Sequence, residues 1–287
     1  MRAAETNLHG KTCMITGATS GIGRETALAL ARLGAQLVLI CRDRERGEAT
    51  VAAIRHETGN KEISLLLADL AAQQSIRRMA DEFLASGRPL HLLINNAGLV
   101  NVSRTLTADG IETVFAVNHL AYFLLTNLLL ERLQASAPAR IINVASEAHR
   151  LSALNFDDLQ ALRRYRFMRV YGQSKLANIL FTYELARRLE GTQITVNCLH
   201  PGAVATGLGK NNGAWAKVMI VLLRPFFRTP AAGAATSIYL AASPEVEGVS
   251  GGYFRNCRQT RSSGASYDAA AARRLWTISA QMTGLDT

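Results

Sequence analysis

Residues 12–33 read TCMITGATSGIGRETALALARL. The opening TCMIT, Thr12–Thr16, has no alternating polar positions and predicts a strand buried on both faces. A turn with glycines at 17, 21 and 23 follows at once. Apolar residues then recur at helical spacing over Arg24–Leu33, and Gly34 stands where a helix end favours a left-handed residue. Strand, glycine-rich turn and helix in direct succession form the first unit of an α/β fold.

The same alternation continues downstream. Strands are expected at Gln36–Cys41, Ile63–Ala68, Leu90–Asn95, Arg140–Ala145, Ile194–Leu199 and Gly252–Arg255, making seven with the first. Helices are expected at Glu45–Glu57, Gln73–Leu84, Asp109–Leu133, Met168–Leu189, Pro230–Ala242 and Ala269–Met282. Near-continuous apolar strands separated by helices predict a doubly wound parallel sheet with helices on both faces, Rossmann-type, in one domain over residues 1–287. The segment 205–229 interrupts this regularity. It holds Trp215, the run Val218–Leu223, Phe226 and Phe227 between basic residues. It reads as an apolar lid over a site, with an interfacial membrane contact or ordinary packing as other uses.

Composition removes several function classes. The 287 residues are 48% apolar and 19% charged, which is incompatible with a disordered chain. No run of 18 apolar residues offers a membrane-spanning helix, and the first residues lack the apolar core of a secretory signal. A cytoplasmic protein is expected. Cys13, Cys41, Cys198 and Cys257 are far apart, and the six histidines show no ligand spacing, so neither a disulfide framework nor a metal site is expected. The net charge of +10 rests mostly on arginine, with lysine only at 11, 61, 175, 210 and 217. No nucleic-acid-binding motif accompanies it. Neither a G-x-S-x-G elbow nor a P-loop occurs.

The glycine turn has the spacing G-x-x-x-G-x-G over Gly17, Thr19, Ser20, Gly21, Ile22 and Gly23. It allows close approach to a pyrophosphate, and the helix that follows offers free N–H groups and the positive end of its dipole. An acid at the end of the second strand would favour NAD(H). Here Ile40 and Cys41 are neutral and Arg42 follows, with Arg24 as a second cation near the turn. Guanidinium groups suit a 2′-phosphate, so NADP(H) is expected, with NAD(H) as the alternative. Asp43 is the counter-indication, unless it pairs locally. Further on, Tyr171 and Lys175 sit four residues apart on one helix. An ammonium beside a phenol favours the phenolate and lowers the phenol's pKa, yielding an acid/base near neutrality.

TGATSGIG, Asn95-Asn96-Ala97-Gly98, Ser146, YGQSK and Pro201-Gly202 occur in this order. Together they resemble the short-chain dehydrogenase/reductase family over nearly the whole chain. CRDRERGE, VNHLAYFLLT, YGQSKLANILF and ARRLWTISAQMTGL are similar to its retinol dehydrogenase branch. The resemblance implies an oxidoreductase interconverting a carbonyl and an alcohol on a lipophilic substrate. Tyr171 matches the general acid/base, Lys175 the residue that lowers its pKa and binds nicotinamide ribose, and Ser146 the group bonding the substrate oxygen. Asn118 matches the residue holding a relay water. Asp69 and Leu70 match the adenine side, and Asn95, Ala97 and Gly98 the turn beside the ribose. Pro201, Gly202, Val204 and Thr206 match the segment under the nicotinamide. Another substrate class (steroid, other ketone or double bond), or a cofactor sensor with little catalysis, are the alternatives. A homodimer or homotetramer is implied. Its contact is expected on the two long helices, unless those bury their apolar faces within one chain.

Overall fold

The computed structural model describes residues 7–204 and 228–285. β1 (Thr12–Thr16) is fully buried and pairs with β2 (Gln36–Cys41) on one side and β4 (Leu92–Asn95) on the other. Its alternating side chains divide the core. Cys13 and Ile15 join Leu37 and Leu39 beneath α1 (Gly21–Arg32). Met14 joins Val38 and Ile40 on the opposite face. This is the period-two geometry of a strand buried on both sides.

The helices follow their local signals. Asp43 caps α2 (Arg44–Thr58) by accepting from Arg46 N at 3.0 Å, and Gly59 closes it at φ 71°. β3 (Ile63–Leu67) leads to α3 (Gln73–Ala85), whose Gln73 N–H is taken by Asp109 at 2.9 Å. β5 is Ala139–Val144, α7 Phe167–Arg188, β6 Ile194–His200 and α8 Pro230–Ala242. β7 (Tyr253–Arg255), β8 (Arg258–Gln259) and α9 (Ala269–Thr283) complete the described chain. The sheet order is β3-β2-β1-β4-β5-β6-β7-β8, parallel except for the last pair. The order reverses between β1 and β4, so a crevice lies beyond their C-terminal ends.

Three expectations are corrected. The sheet has eight described strands rather than seven. Asn256 and Cys257, at φ 53° and 58°, form a two-residue hairpin turn that pairs Arg255 with Arg258. Positive φ at both positions is the turn that matches strand twist, here built without glycine. The helix expected over 109–133 is broken. Glu112 caps α4 (Thr113–Phe115) through bonds from Val114 N and Phe115 N, a π turn covers Ala116–Leu120, and α5 (Ala121–Leu128) and α6 (Leu130–Ala135) follow. Finally, the apolar face of α5 and α7, expected to meet a second subunit, is covered by α9. Trp276 lies 4.9 Å from Phe123 and 5.8 Å from Phe181, and the Arg188 guanidinium stacks on it at 4.1 Å. Most of the 205–229 lid lies outside the described residues. Its flanks are joined: Val204 and Arg228 form a bridge, and Arg228 N donates to Ala203 O at 2.7 Å.

Trp276 is 8% exposed within this aromatic cluster. Trp276→Ala is expected to lower unfolding free energy by about 3 kcal/mol or more, as large-to-small core changes do. Urea denaturation monitored by circular dichroism checks this; a loss under about 1 kcal/mol would mean that α9 packs loosely on α5 and α7.

Candidate active site

At the end of β1 the chain turns through Gly17 at φ 68°. A Cβ there would stand 2.9 Å from Ala97 Cα, and one at Gly23 only 2.4 Å from Gly17 O. Glycine is therefore required by close packing of turn, helix and the β4 end. Ser20 precedes α1 without a side-chain cap, leaving the first helical N–H groups available to an anion. Thr19 is half-buried, Ser20 exposed and Ile22 buried. These features fit the pyrophosphate of a dinucleotide: an open backbone, an uncapped helix start and no side chain in the way.

The β4 end is locked to that turn. Thr16 Oγ1 accepts from Asn96 N at 2.9 Å and Ala97 N at 3.0 Å, and Asn96 Nδ2 donates to Thr16 O at 2.8 Å. Asn96 was not singled out from sequence. Asn95 was, yet its side chain is fully buried in the core, donating to Thr126 Oγ1 and Asn143 Oδ1. Adjacent residues at a strand end face opposite ways, so one asparagine serves the sheet and the other the turn. Ala97 O accepts from Tyr122 OH at 2.7 Å.

Gly98 is exposed in the crevice, and a Cβ on it would lie 3.3 Å from Asn118 Oδ1 and 3.4 Å from Lys175 Nζ. Asn118 sits in the π turn. Its Oδ1 accepts from Leu99 N at 2.8 Å, and its Nδ2 donates to Leu99 O and Ser174 Oγ, both at 3.0 Å. These bonds tie the β4 loop to α7, a use of the π turn common at functional positions. Lys175 is buried on α7 and donates from Nζ to Val144 O at 2.9 Å, with Nζ 5.8 Å from the ring centroids of both Tyr122 and Tyr171. Tyr171 is half-buried beside Val114, Ala161 and Val170. Ser146 follows β5 and caps a short 3-10 turn, Glu147–Leu151, accepting from Ala148 N at 3.2 Å. That turn packs so closely on α7 that a Cβ at Gly172 would stand 2.5 Å from Ala148 O. Gly172 is thus what lets Ser146 approach Tyr171. The structure brings Asn118, Ser146, Tyr171 and Lys175 together from the π turn, β5 and α7.

The electrostatics differ from expectation. Burial raises the Tyr171 phenol above its usual value, opposed only by the adjacent Ser146 hydroxyl. The ammonium does not draw it down, because burial lowers Lys175 itself to about 7 and its Nζ is directed at Val144 O.

The remaining residues divide. Arg42 is exposed and makes no ion pair or hydrogen bond among the described residues. Arg24 is held by Glu25 at 3.1 Å and Glu57 at 2.6 Å, and so is partly spent on its neighbours. Asp69 accepts from Ala71 N at 3.0 Å and so stabilises its own turn rather than capping α3, while Leu70 packs partly into the core. Pro201 and Gly202 follow β6, with Gly202 at φ 89° against the Arg228 side chain. Val204 packs on α8 at Gly233. Thr206 lies outside the described residues. A separate cavity of about 1140 Å³ opens at the other end of the strands, lined by His91, Arg140 and Ile194 among others, and contains none of these groups.

Comparison with known proteins follows this geometry. The family model described as short chain dehydrogenase matches residues 11–217. Human "Retinol dehydrogenase 14" is 47% identical, the match covering 97% of this chain and 88% of that protein. A solved but uncharacterised protein from Mycobacterium paratuberculosis superposes at TM-score 0.80 with 33% identity, over 98% of this chain and 96% of the other. The structure titled "Pseudomonas aeruginosa RhlG/NADP active-site complex" gives TM-score 0.70 and 26% identity, over 88% and 98%. A glycine-cradled crevice, a Tyr–Lys helix and this breadth of likeness agree: the chain belongs to the short-chain dehydrogenase family and is an oxidoreductase of that class.

Proposed function

We propose that this protein is an NADP(H)-dependent oxidoreductase that interconverts a carbonyl and an alcohol on a lipophilic, retinoid-like substrate. The observation that carries the reading is the convergence of Tyr171, Ser146, Lys175 and Asn118 beside the exposed Gly98. The bound nicotinamide would supply or accept a hydride. In reduction, Tyr171 gives its phenolic proton to the carbonyl oxygen; burial keeps that phenol protonated at neutral pH. Ser146 hydrogen-bonds the same oxygen. Lys175 lies between Gly98 and the phenol and titrates near neutrality, suiting it to ribose binding and to proton return. Asn118, with its side-chain atoms committed to Leu99 and Ser174, holds Gly98 open beside Lys175 rather than gripping a water through that side chain.

NADP(H) is favoured by charge. Asp43, the acid that argued against it, is committed to capping α2, while Arg42 beside it is exposed. We assign the 2′-phosphate to Arg42 in preference to Arg24, which Glu25 and Glu57 hold. The NADP complex of the Pseudomonas relative supports this choice. A lipophilic substrate is supported by the apolar cluster around Tyr171, with Leu99 and Tyr165 packed on it, and by the retinol-named relative. Self-association, if the protein has it, is assigned to a face other than that of α5 and α7, where α9 already lies.

Tyr171→Phe is expected to cut NADPH-dependent reduction of retinal by about 10²- to 10⁴-fold while NADPH still binds, the range of general acid catalysis. Stopped-flow turnover with fluorescence binding checks it; near-normal turnover would refute the mechanism. Arg42→Asp should lower the NADP/NAD ratio of kcat/KM by at least about tenfold, the loss of one charge-assisted hydrogen bond. An unchanged ratio would remove the charge argument. Lys175 carries a folded-state pKa of about 7 against an ordinary 10.5. Between those values the unfolded chain holds a proton that the folded chain lacks, so stability rises with pH across that window. In urea melts the unliganded wild type is expected to gain on Lys175→Met from pH 7 towards 10; parallel curves would contradict the depressed lysine.

A further inference from the structure

The 3-10 turn that carries Ser146 is held by groups that the reaction does not use. Glu147 N donates to His200 Nδ1 at 3.2 Å, and the Glu147 carboxylate accepts from Tyr253 OH at 2.8 Å and from Arg150 at 2.8 Å. These lie on the outer side of the turn. On its inner side the wholly buried His149 ring spans two main-chain groups. Its Nδ1 lies 2.6 Å from Ser146 O, and its Nε2 lies 2.9 Å from Ser263 N.

The two partners decide the protonation state without reference to pH. A main-chain N–H can only donate, so Nε2 must be an acceptor and carry no hydrogen. A main-chain carbonyl can only accept, so Nδ1 must carry the hydrogen and donate. Both bonds are satisfied together only by the neutral Nδ1–H tautomer. Tyr253 packs edge-on at 5.2 Å and restrains the ring plane. Burial independently disfavours the imidazolium. The 2.6 Å bond therefore fixes the Ser146 peptide, and through it the direction of the Ser146 side chain, from a point more than a hundred residues away in the C-terminal segment.

We infer that His149 is a positioning residue for the reaction: as a neutral imidazole protonated on Nδ1, it fixes the Ser146 carbonyl and thereby aims the Ser146 hydroxyl at the substrate oxygen, making serine alignment dependent on the segment around Ser263. This rests on the proposed role of Ser146 and deepens it. His149 touches neither substrate nor cofactor and acts only through the serine.

The test uses the full-length protein, NADPH and all-trans-retinal. His149→Phe is expected to lower kcat by about tenfold or more with NADPH affinity within about twofold of wild type, since a misaligned donor weakens chemistry rather than cofactor binding. His149→Asn keeps a donor near the Nδ1 position and should restore most of kcat. His149→Gln reaches towards Ser263 instead and should restore little. Combined with Ser146→Ala, His149→Phe should add almost nothing, because the two act as one unit. Full additivity in the double variant, or equal losses in the Phe, Asn and Gln variants, would reduce His149 to a structural residue and overturn the inference. If Ser146→Ala is inactive while His149→Phe turns over normally, this inference fails and the serine reading stands; if Ser146→Ala turns over normally, both fall. Should the Phe variant not fold, ¹⁵N resonances of His149 in the wild-type protein at pH 7 decide: a protonated Nδ1 with a bare Nε2 is expected, and the opposite tautomer or an imidazolium overturns it.

Discussion

A primary amine buried against the carbonyl of Val144 is the constraint around which this protein is arranged. Desolvating Lys175 works against its charge, and the hydrogen bond to Val144 O compensates only in part, as the pKa of about 7 records. Holding Nζ there requires β5 to end beneath α7, the π turn to present Asn118, and residue 98 to lack a side chain. Each requirement recruits another. Asn118 needs the Leu99 main chain, Leu99 needs the β4 end, and that end is bonded to the glycine turn through Thr16 and Asn96. Crevice and catalytic cluster are therefore one hydrogen-bonded construction rather than two adjoining sites.

The parallel sheet gives this construction rigidity at little local expense. Strands buried on both faces cannot slip without transferring their whole apolar set to a different environment. The C-terminal ends of β1, β4, β5 and β6 are accordingly stationary, and the loops beyond them carry the chemistry. α9 adds a second layer of restraint. It covers α5 and α7 with Trp276, while Ser279 Oγ lies 2.9 Å from Nε2 of the buried His119, next to Asn118 in the π turn. The C-terminus of the described chain is thus coupled to the site at two points, through His119 and through His149.

Much of this was legible from residue pattern. Continuous apolar runs announced seven strands, glycine spacing announced the phosphate turn, and an i, i+4 Tyr–Lys pair announced the acid/base helix. The omissions have physical causes. β8 escaped because its turn, Asn256-Cys257, adopts positive φ without glycine. The π turn escaped because residues 114–125 are apolar around most of the helix and fit any helical period equally well. Asn95 and Asn96 could not be told apart, since chemistry alone does not say which of two neighbours faces inward. The depressed lysine was hidden because its partner is a main-chain carbonyl, which has no side-chain signature. His149 and Ser263 meet across 114 residues, a distance over which no periodicity speaks.

The bridge between Val204 and Arg228 has a consequence for how such a protein changes over generations. It draws together the two ends of the stretch 205–227, so the sheet sees a closed neck whatever lies beyond it. Doubling the length past such a neck adds only about 0.6 kcal/mol of closure entropy. Insertions, deletions and wholesale rewriting can accumulate there while the proton-transfer machinery stays untouched. A scaffold hinged in this way can change what it accepts long before it loses what it does.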